Sequence, residues 1–139
     1  MKSVAYIAVG IAGVLGALLR YELGRWIPGS SDAFFPLATW IVNLSGCLVL
    51  SFLTVWFAQA KKIPPAVKTG LTTGWIGSYT TFSTFAVENV ELLRNGHAAI
   101  ALAYILCSLF GGLLMAGLGD WLGHRIFPAS KEGSADVRS

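Results

Sequence analysis

The chain has 139 residues, of which 55% are hydrophobic and only 12% charged, whereas an average soluble domain carries about 25% charged residues. That balance excludes an ordinary soluble fold, and the length suits a single domain. The 10 Lys and Arg and the 7 Asp and Glu, net +3, fall almost wholly between apolar runs, so the positive balance belongs to membrane-facing loops and implies no nucleic-acid partner.

A helix crossing about 30 Å of hydrocarbon at 1.5 Å per residue needs roughly 20 residues, and four windows approach that length. The first, Ser3 to Leu19, extends to about Trp26 if Arg20 and Arg25 snorkel or face inward. Arg20, Tyr21 and Glu22 stand where a signal peptide would need a small-residue cleavage site, so a retained helix is expected. The second, Ala33 to Ala60, carries Phe34, Phe35, Trp40, Trp56 and Phe57 toward its ends, as an interfacial belt requires.

The third window reads TGLTTGWIGSYTTFSTFAV, Thr69 to Val87, and its Gly, Thr, Ser and aromatic content makes a poor lipid-facing helix. Irregular main chain at membrane depth is tolerated only against protein or a water-filled path. This is therefore the interior segment, and Gly70, Gly74 and Gly77, followed by Ser78 to Thr81, mark a helix break. The fourth, Ala98 to Gly119, is strongly apolar. The expected fold is an all-α membrane protein of four transmembrane helices with a break in the third. Its spans are about 3–26, 33–60, 66–94 and 98–122, in a channel domain of residues 1–127 with a disordered polar tail over 128–139. Four spans place Lys2, Lys61, Lys62, Lys68, Arg125, Lys131 and Arg138 on one side and Arg20, Arg25 and Arg94 on the other, a 7 to 3 split that favours an inside N-terminus.

Asn43 lies in the middle of the second span, where its amide either staples helices together or offers a donor to an anion. In Thr80-Thr81-Phe82-Ser83-Thr84-Phe85 the two phenylalanines are three apart and share a helical face beside the hydroxyls of Ser83 and Thr84. They are either core or a pair of rings whose electropositive edges face a small anion without holding it too tightly. Tyr104 and Ser108, four apart on the fourth span, form a second hydroxyl strip that lines the same path or bonds locally. Arg20 either snorkels or attracts anions at a pore entrance, and Glu88 sits at the expected membrane boundary as a solvated helix end or part of a vestibule.

No carboxylate is expected deep within a span, which argues against a proton-coupled small multidrug exporter, the main rival among four-helix chains of this size. Glu22 is too near the end of span one for that task. A non-transporting scaffold would explain Gly70-x-x-x-Gly74 and Gly10-x-x-Gly13-x-x-Gly16 as packing faces, but not the concentrated hydroxyls. Cys47 and Cys107 lie in apolar runs without ligand spacing and are expected to be free thiols. His97 and His124 are isolated, and no catalytic set, metal cluster or phosphate loop is visible, so no enzyme is expected.

The same residues carry a resemblance to the Fluc (CrcB) fluoride channels that covers residues 4 to 125. GVLGALLRY, Gly13 to Tyr21, resembles that family's Gly-rich stretch ending in an arginine and an aromatic; NLSG, Asn43 to Gly46, resembles its Asn-x-x-Gly; and GWIGSYTTFSTFAVE, Gly74 to Glu88, resembles its Thr-Thr-Phe-Ser-Thr-Phe signature with the following glutamate. The resemblance implies a passive, selective fluoride channel that exports fluoride from a prokaryotic cell through the inner membrane and so reduces its toxicity. It implies an antiparallel, dual-topology homodimer with two pores, lined by Asn43, Phe82, Ser83, Thr84, Phe85 and Tyr104, with Ser108 on the same strip. It further implies Arg20 near a pore entrance or bracing the fold, Glu88 near a vestibule, and a structural sodium ion at the dimer interface held by the main-chain carbonyls of Gly77 and Thr80. Ser78 stands where the family usually has a second glycine.

Overall fold

The structure, a computed structural model, describes residues 2–27, 35–60 and 62–128, and every regular element among them is helical. In chain order these are α1 (Lys2–Trp26), α2 (Leu37–Gln59), α3 (Pro65–Thr69), a π-helical stretch (Gly70–Ile76), α4 (Gly77–Tyr79), α5 (Phe82–Arg94) and α6 (Ala98–Ile126). Three of them, α1, α2 and α6, are long and apolar enough to cross a membrane. The third predicted span is a composite: α3, the π-helical stretch and α4 lead to two extended residues, Thr80 (φ −77°, ψ 157°) and Thr81 (φ −147°, ψ 121°), and α5 follows.

Local sequence explains where the helices start and stop. Pro36, whose ring fixes φ and which has no N–H to give, precedes α2, so the helix begins at Leu37 and not at residue 33; residues 33 and 34 lie outside the described residues. Pro65 occupies the first turn of α3. Gly96, at φ +79°, makes the turn between α5 and α6 in a region that side chains disfavour. Nothing in Trp121 to Ile126 breaks a helix, so α6 runs to Ile126, four residues beyond the expected end at 122, and stops before Pro128. Residues 129–139 of the predicted tail lie outside the described residues.

Small residues set the packing, as expected where lipid removes the hydrophobic drive between helices. The parallel pair α2 and α6 meet closely enough that a Cβ on Gly119 would fall 2.3 Å from the Leu48 carbonyl oxygen, and one on Gly123 2.7 Å from Val55 Cβ. On the other side α1 packs on the π-helical stretch: a Cβ on Gly16 would meet the Trp75 carbonyl oxygen at 2.1 Å, and one on Gly74 the Val9 carbonyl oxygen at 2.7 Å. Gly10 has nothing within 4 Å, so the face predicted from Gly10, Gly13 and Gly16 uses only its last two members. Ser78 fits because its hydroxyl lies over Gly13, 3.1 Å from where a Cβ there would stand. Leu53, Phe57 and Ile76 form the buried core between α2 and the third span, while Ile7, Ile11, Val14, Leu113 and Leu114 point outward. An apolar exterior around a small core suits lipid and not water as the surrounding solvent.

Candidate functional site

The site is organised by the two extended residues. Once the chain leaves the helix at Thr80, the Thr81 N–H and C=O lose their helical partners, and at membrane depth no bulk water replaces them. Asn43 supplies both: its Oδ1 accepts from the Thr81 N–H at 2.8 Å and its Nδ2 donates to the Thr81 carbonyl at 3.0 Å. The amide thus acts as one rung of a strand ladder. Of the two sequence readings of Asn43, the helix staple describes these contacts, with one Nδ2 hydrogen left over for another acceptor. Thr81 also caps α5: its Oγ1 accepts from the Thr84 N–H at 3.2 Å and lies 2.9 Å from Thr84 Oγ1 and 3.3 Å from Ser83 Oγ.

A cavity of about 540 Å³ opens beside this clamp, and Asn43, Gly77, Thr80, Phe82, Phe85 and Ser108 are all among its lining residues. Thr72, Thr81 and Cys47, on which the sequence puts no such mark, line it as well. A smaller cavity of about 180 Å³ lies on the far side of Thr81 and is bounded by Arg20, Thr39, Val42 and Thr84. Thr81 borders both. Ser83, which is exposed, and Tyr104, which is fully buried, are not among the residues lining the larger cavity. The rings form a chain: Phe82 to Phe85 at 5.9 Å between centroids, Phe85 to Tyr104 at 4.9 Å, and Tyr104 to Phe35 at 5.2 Å with the planes at 73°. Phe82 is 80% exposed in the single chain.

Glu88 is not a solvated helix end. It sits in mid-helix on α5, half-buried, where one carboxylate oxygen accepts from Thr39 Oγ1 at 2.7 Å and the other from the Tyr104 hydroxyl at 2.9 Å. Of its two readings the solvated helix end fails, because Thr39 on α2 and Tyr104 on α6 both reach the carboxylate. Thr39 lies four residues before Asn43, on the same face of α2, and that spacing was its only signal in the sequence. Glu22, by contrast, is exposed and pairs with Arg25 at 3.5 Å. Cys47 and Cys107 are free thiols.

At the other edge of the break, the Thr81 N–H that would close a helical turn onto the Gly77 carbonyl is turned toward Asn43 instead. Gly77 and Thr80 both border the larger cavity. Among the described residues no group of three or more His, Cys, Asp or Glu side chains stands ready for a metal.

These features define a multi-pass helical membrane protein in which the segment from α3 to α5 is broken beside a largely apolar cavity that also carries hydroxyls, one amide and two phenylalanine rings. Comparison with known proteins is specific. Residues 7–120 match the family model described as CrcB-like protein, Camphor Resistance (CrcB), and the chain belongs to that family. It is 52% identical over 123 residues to fluoride-specific ion channel FluC 1 of Bacillus thuringiensis subsp. konkukian, covering 88% of this chain and 90% of that one. It is 49% identical over 129 residues to FluC 2 of Geobacillus kaustophilus, covering 92% and 97%, and 43% identical over 121 residues to FluC 2 of Listeria innocua, covering 87% and 92%.

Proposed function

We propose that the protein is a passive, selective fluoride channel of the cell membrane that exports fluoride and so reduces its toxicity. One observation carries the reading: Asn43, Phe82, Phe85 and Ser108 meet at a cavity whose lining, among the described residues, includes no charged side chain, in a chain whose relatives are named fluoride-specific ion channels. The exporter alternative needs a carboxylate free to exchange protons, and Glu88 is already held between two hydroxyls.

Fluoride sheds a tightly bound water shell only where donors replace it, and it moves on only where no single donor set is too strong. The path offers weak donors in series: the spare Asn43 N–H, the hydroxyls of Thr81 and Ser108, and the ring edges of Phe82 and Phe85, with Ser83, Thr84 and Tyr104 close by; the Thr80 hydroxyl is already committed to the Ile76 carbonyl at 3.0 Å. The first N–H groups of α5 add the partial positive charge of a helix N-terminus beside the break. Arg20, at the smaller cavity, raises the local anion concentration at one entrance without standing in the larger one. Glu88 holds Thr39 and Tyr104 in place near the vestibule. Chloride, larger and less tightly hydrated, gains less from these donors.

The protein works as an antiparallel, dual-topology homodimer with two pores. Support for a second copy comes from Phe82, which a single chain leaves exposed, and from the open side of the larger cavity. The carbonyls of Gly77 and Thr80 would hold a structural sodium ion at the dimer interface, whose charge would fix the end of α4 against its mate. The test is fluoride efflux from liposomes containing the purified protein, read with a fluoride electrode and repeated for chloride. Rapid fluoride release without chloride release is expected; no release from a folded protein would overturn the reading.

A further inference from the structure

Tyr79, Thr80 and Thr81 each meet a different residue of one short stretch of α2. Downstream, Asn43 holds the Thr81 main chain at 2.8 and 3.0 Å. In the middle, Gly46 leaves room for the Thr80 side chain, whose Cγ2 lies 2.1 Å from where a Cβ on Gly46 would stand. Upstream, the Tyr79 hydroxyl lies 2.8 Å from Ser45 Oγ. The break is therefore fastened on both sides and pressed at its pivot by α2 of the same chain.

The direction of the upstream bond follows from counting protons. A serine hydroxyl has one proton and two lone pairs, and that of Ser45 already donates to the Val42 carbonyl at 3.0 Å. The Tyr79 phenol is therefore the donor and Ser45 the acceptor. The pair sits in a cavity of about 120 Å³ whose other walls include Leu19, Val49, Trp75 and Ile76, so no other side chain among the described lining residues offers the phenol an acceptor. Neither Ser45 nor Tyr79 is among the residues lining the larger cavity.

We infer that Ser45 and Tyr79 are positioning residues of the conduction path. Their bond holds the last turn of α4 in register on α2, so that the chain leaves the helix at Thr80 and delivers Phe82 and Phe85 to the cavity. The inference rests on reading that cavity as a fluoride path. It also carries an asymmetry. Ser45→Ala strands the phenol proton among apolar walls, whereas Tyr79→Phe removes one oxygen and leaves Ser45 satisfied by Val42. Adding Tyr79→Phe to Ser45→Ala removes the stranded group and so restores part of what Ser45→Ala lost.

The experiment compares wild type, Ser45→Ala, Tyr79→Phe and the double variant. Fluoride efflux is measured from liposomes, and amide hydrogen exchange of a peptide spanning the break is measured on the detergent-solubilised protein. A buried hydroxyl left without its partner shifts an equilibrium by roughly ten-fold or more. Ser45→Ala is therefore expected to slow efflux and speed exchange by about ten-fold, Tyr79→Phe by about three-fold, and the double variant is expected to return to the Tyr79→Phe level. Wild-type behaviour in all three variants, or a double variant no better than Ser45→Ala, would overturn the inference while leaving the channel reading intact. A wild-type protein that releases no fluoride would remove the channel reading, and the exchange pattern would still decide whether the bond fastens the break.

Discussion

Replacing Asn43 with alanine separates bracing from ion contact because the structure fixes what is lost. Both hydrogen bonds to Thr81 disappear, and Thr81 is a buried residue, 8% exposed. An unpaired buried main-chain group costs about 1–3 kcal/mol, so the two together cost roughly 2–6 kcal/mol, with the upper part of the range favoured where lipid excludes water. The chain has one cheap escape: the Thr81 N–H can close onto the Gly77 carbonyl and turn the break into continuous helix. Closure would rotate Phe82 and Phe85 away from the cavity. Fluoride efflux in liposomes should therefore fall at least 100-fold, about 2.8 kcal/mol at 1.4 kcal/mol per decade, while the far-ultraviolet helical signal is kept or rises slightly. Asn43→Asp should also lose transport, because a carboxylate accepts from the Thr81 N–H but faces the Thr81 carbonyl with like charge. Efflux within two-fold of wild type in Asn43→Ala, from protein that elutes normally, would refute the claim that Asn43 holds the break.

Phe82→Ile and Phe85→Ile keep apolar volume and remove the ring edges; each is expected to slow fluoride efflux at least ten-fold with unchanged elution, and normal flux in both would sink the ring-edge mechanism. Gly16→Ala drives a Cβ to 2.1 Å from a main-chain oxygen, an overpacking expected to destabilise by about 3 kcal/mol or more, whereas Gly10→Ala, with nothing within 4 Å, should leave the melting temperature within about 2 °C. Glu88→Ala deprives two hydroxyls of a charged acceptor, at about 1.5–3 kcal/mol each; a clear loss of thermal stability together with slower efflux is expected, and an unchanged melting temperature would show that Thr39 and Tyr104 do not depend on it.

The long apolar helices were legible in the sequence because lipid imposes a length and a composition together: α1, α2 and α6 follow from uncharged runs near 20 residues. The break was legible for the opposite reason, since a segment so rich in glycine and hydroxyls has no place facing lipid. What could not be read was pairing between segments. Nothing in the local sequence says that Asn43 meets Thr81, 38 positions away, or that Tyr79 meets Ser45. Glu88 was misplaced because charge is an indicator of surface only when no partner is known; its two hydroxyl partners come from α2 and α6, at 49 and 16 positions' separation. Thr39 was missed because a threonine in an apolar run has the bland alternative of bonding its own backbone.

A broken helix has two chemically opposite ends, and this chain treats them differently. The end of α4 leaves carbonyl oxygens, and the start of α5 leaves N–H groups, without partners inside their own helices, so a single interruption sets groups of opposite polarity a few residues apart. Left alone, those groups would pair with one another and restore the helix. Asn43 prevents this by taking one group of each kind from Thr81, and the close seat of Thr80 on Gly46 blocks the side-chain movement that restoration would need. The polarity of the path therefore depends less on any single residue that touches the ion than on α2, whose Asn43, Ser45 and Gly46 keep the interruption open. Selectivity should accordingly be more sensitive to substitutions on this face of α2 than to changes in the exposed Ser83.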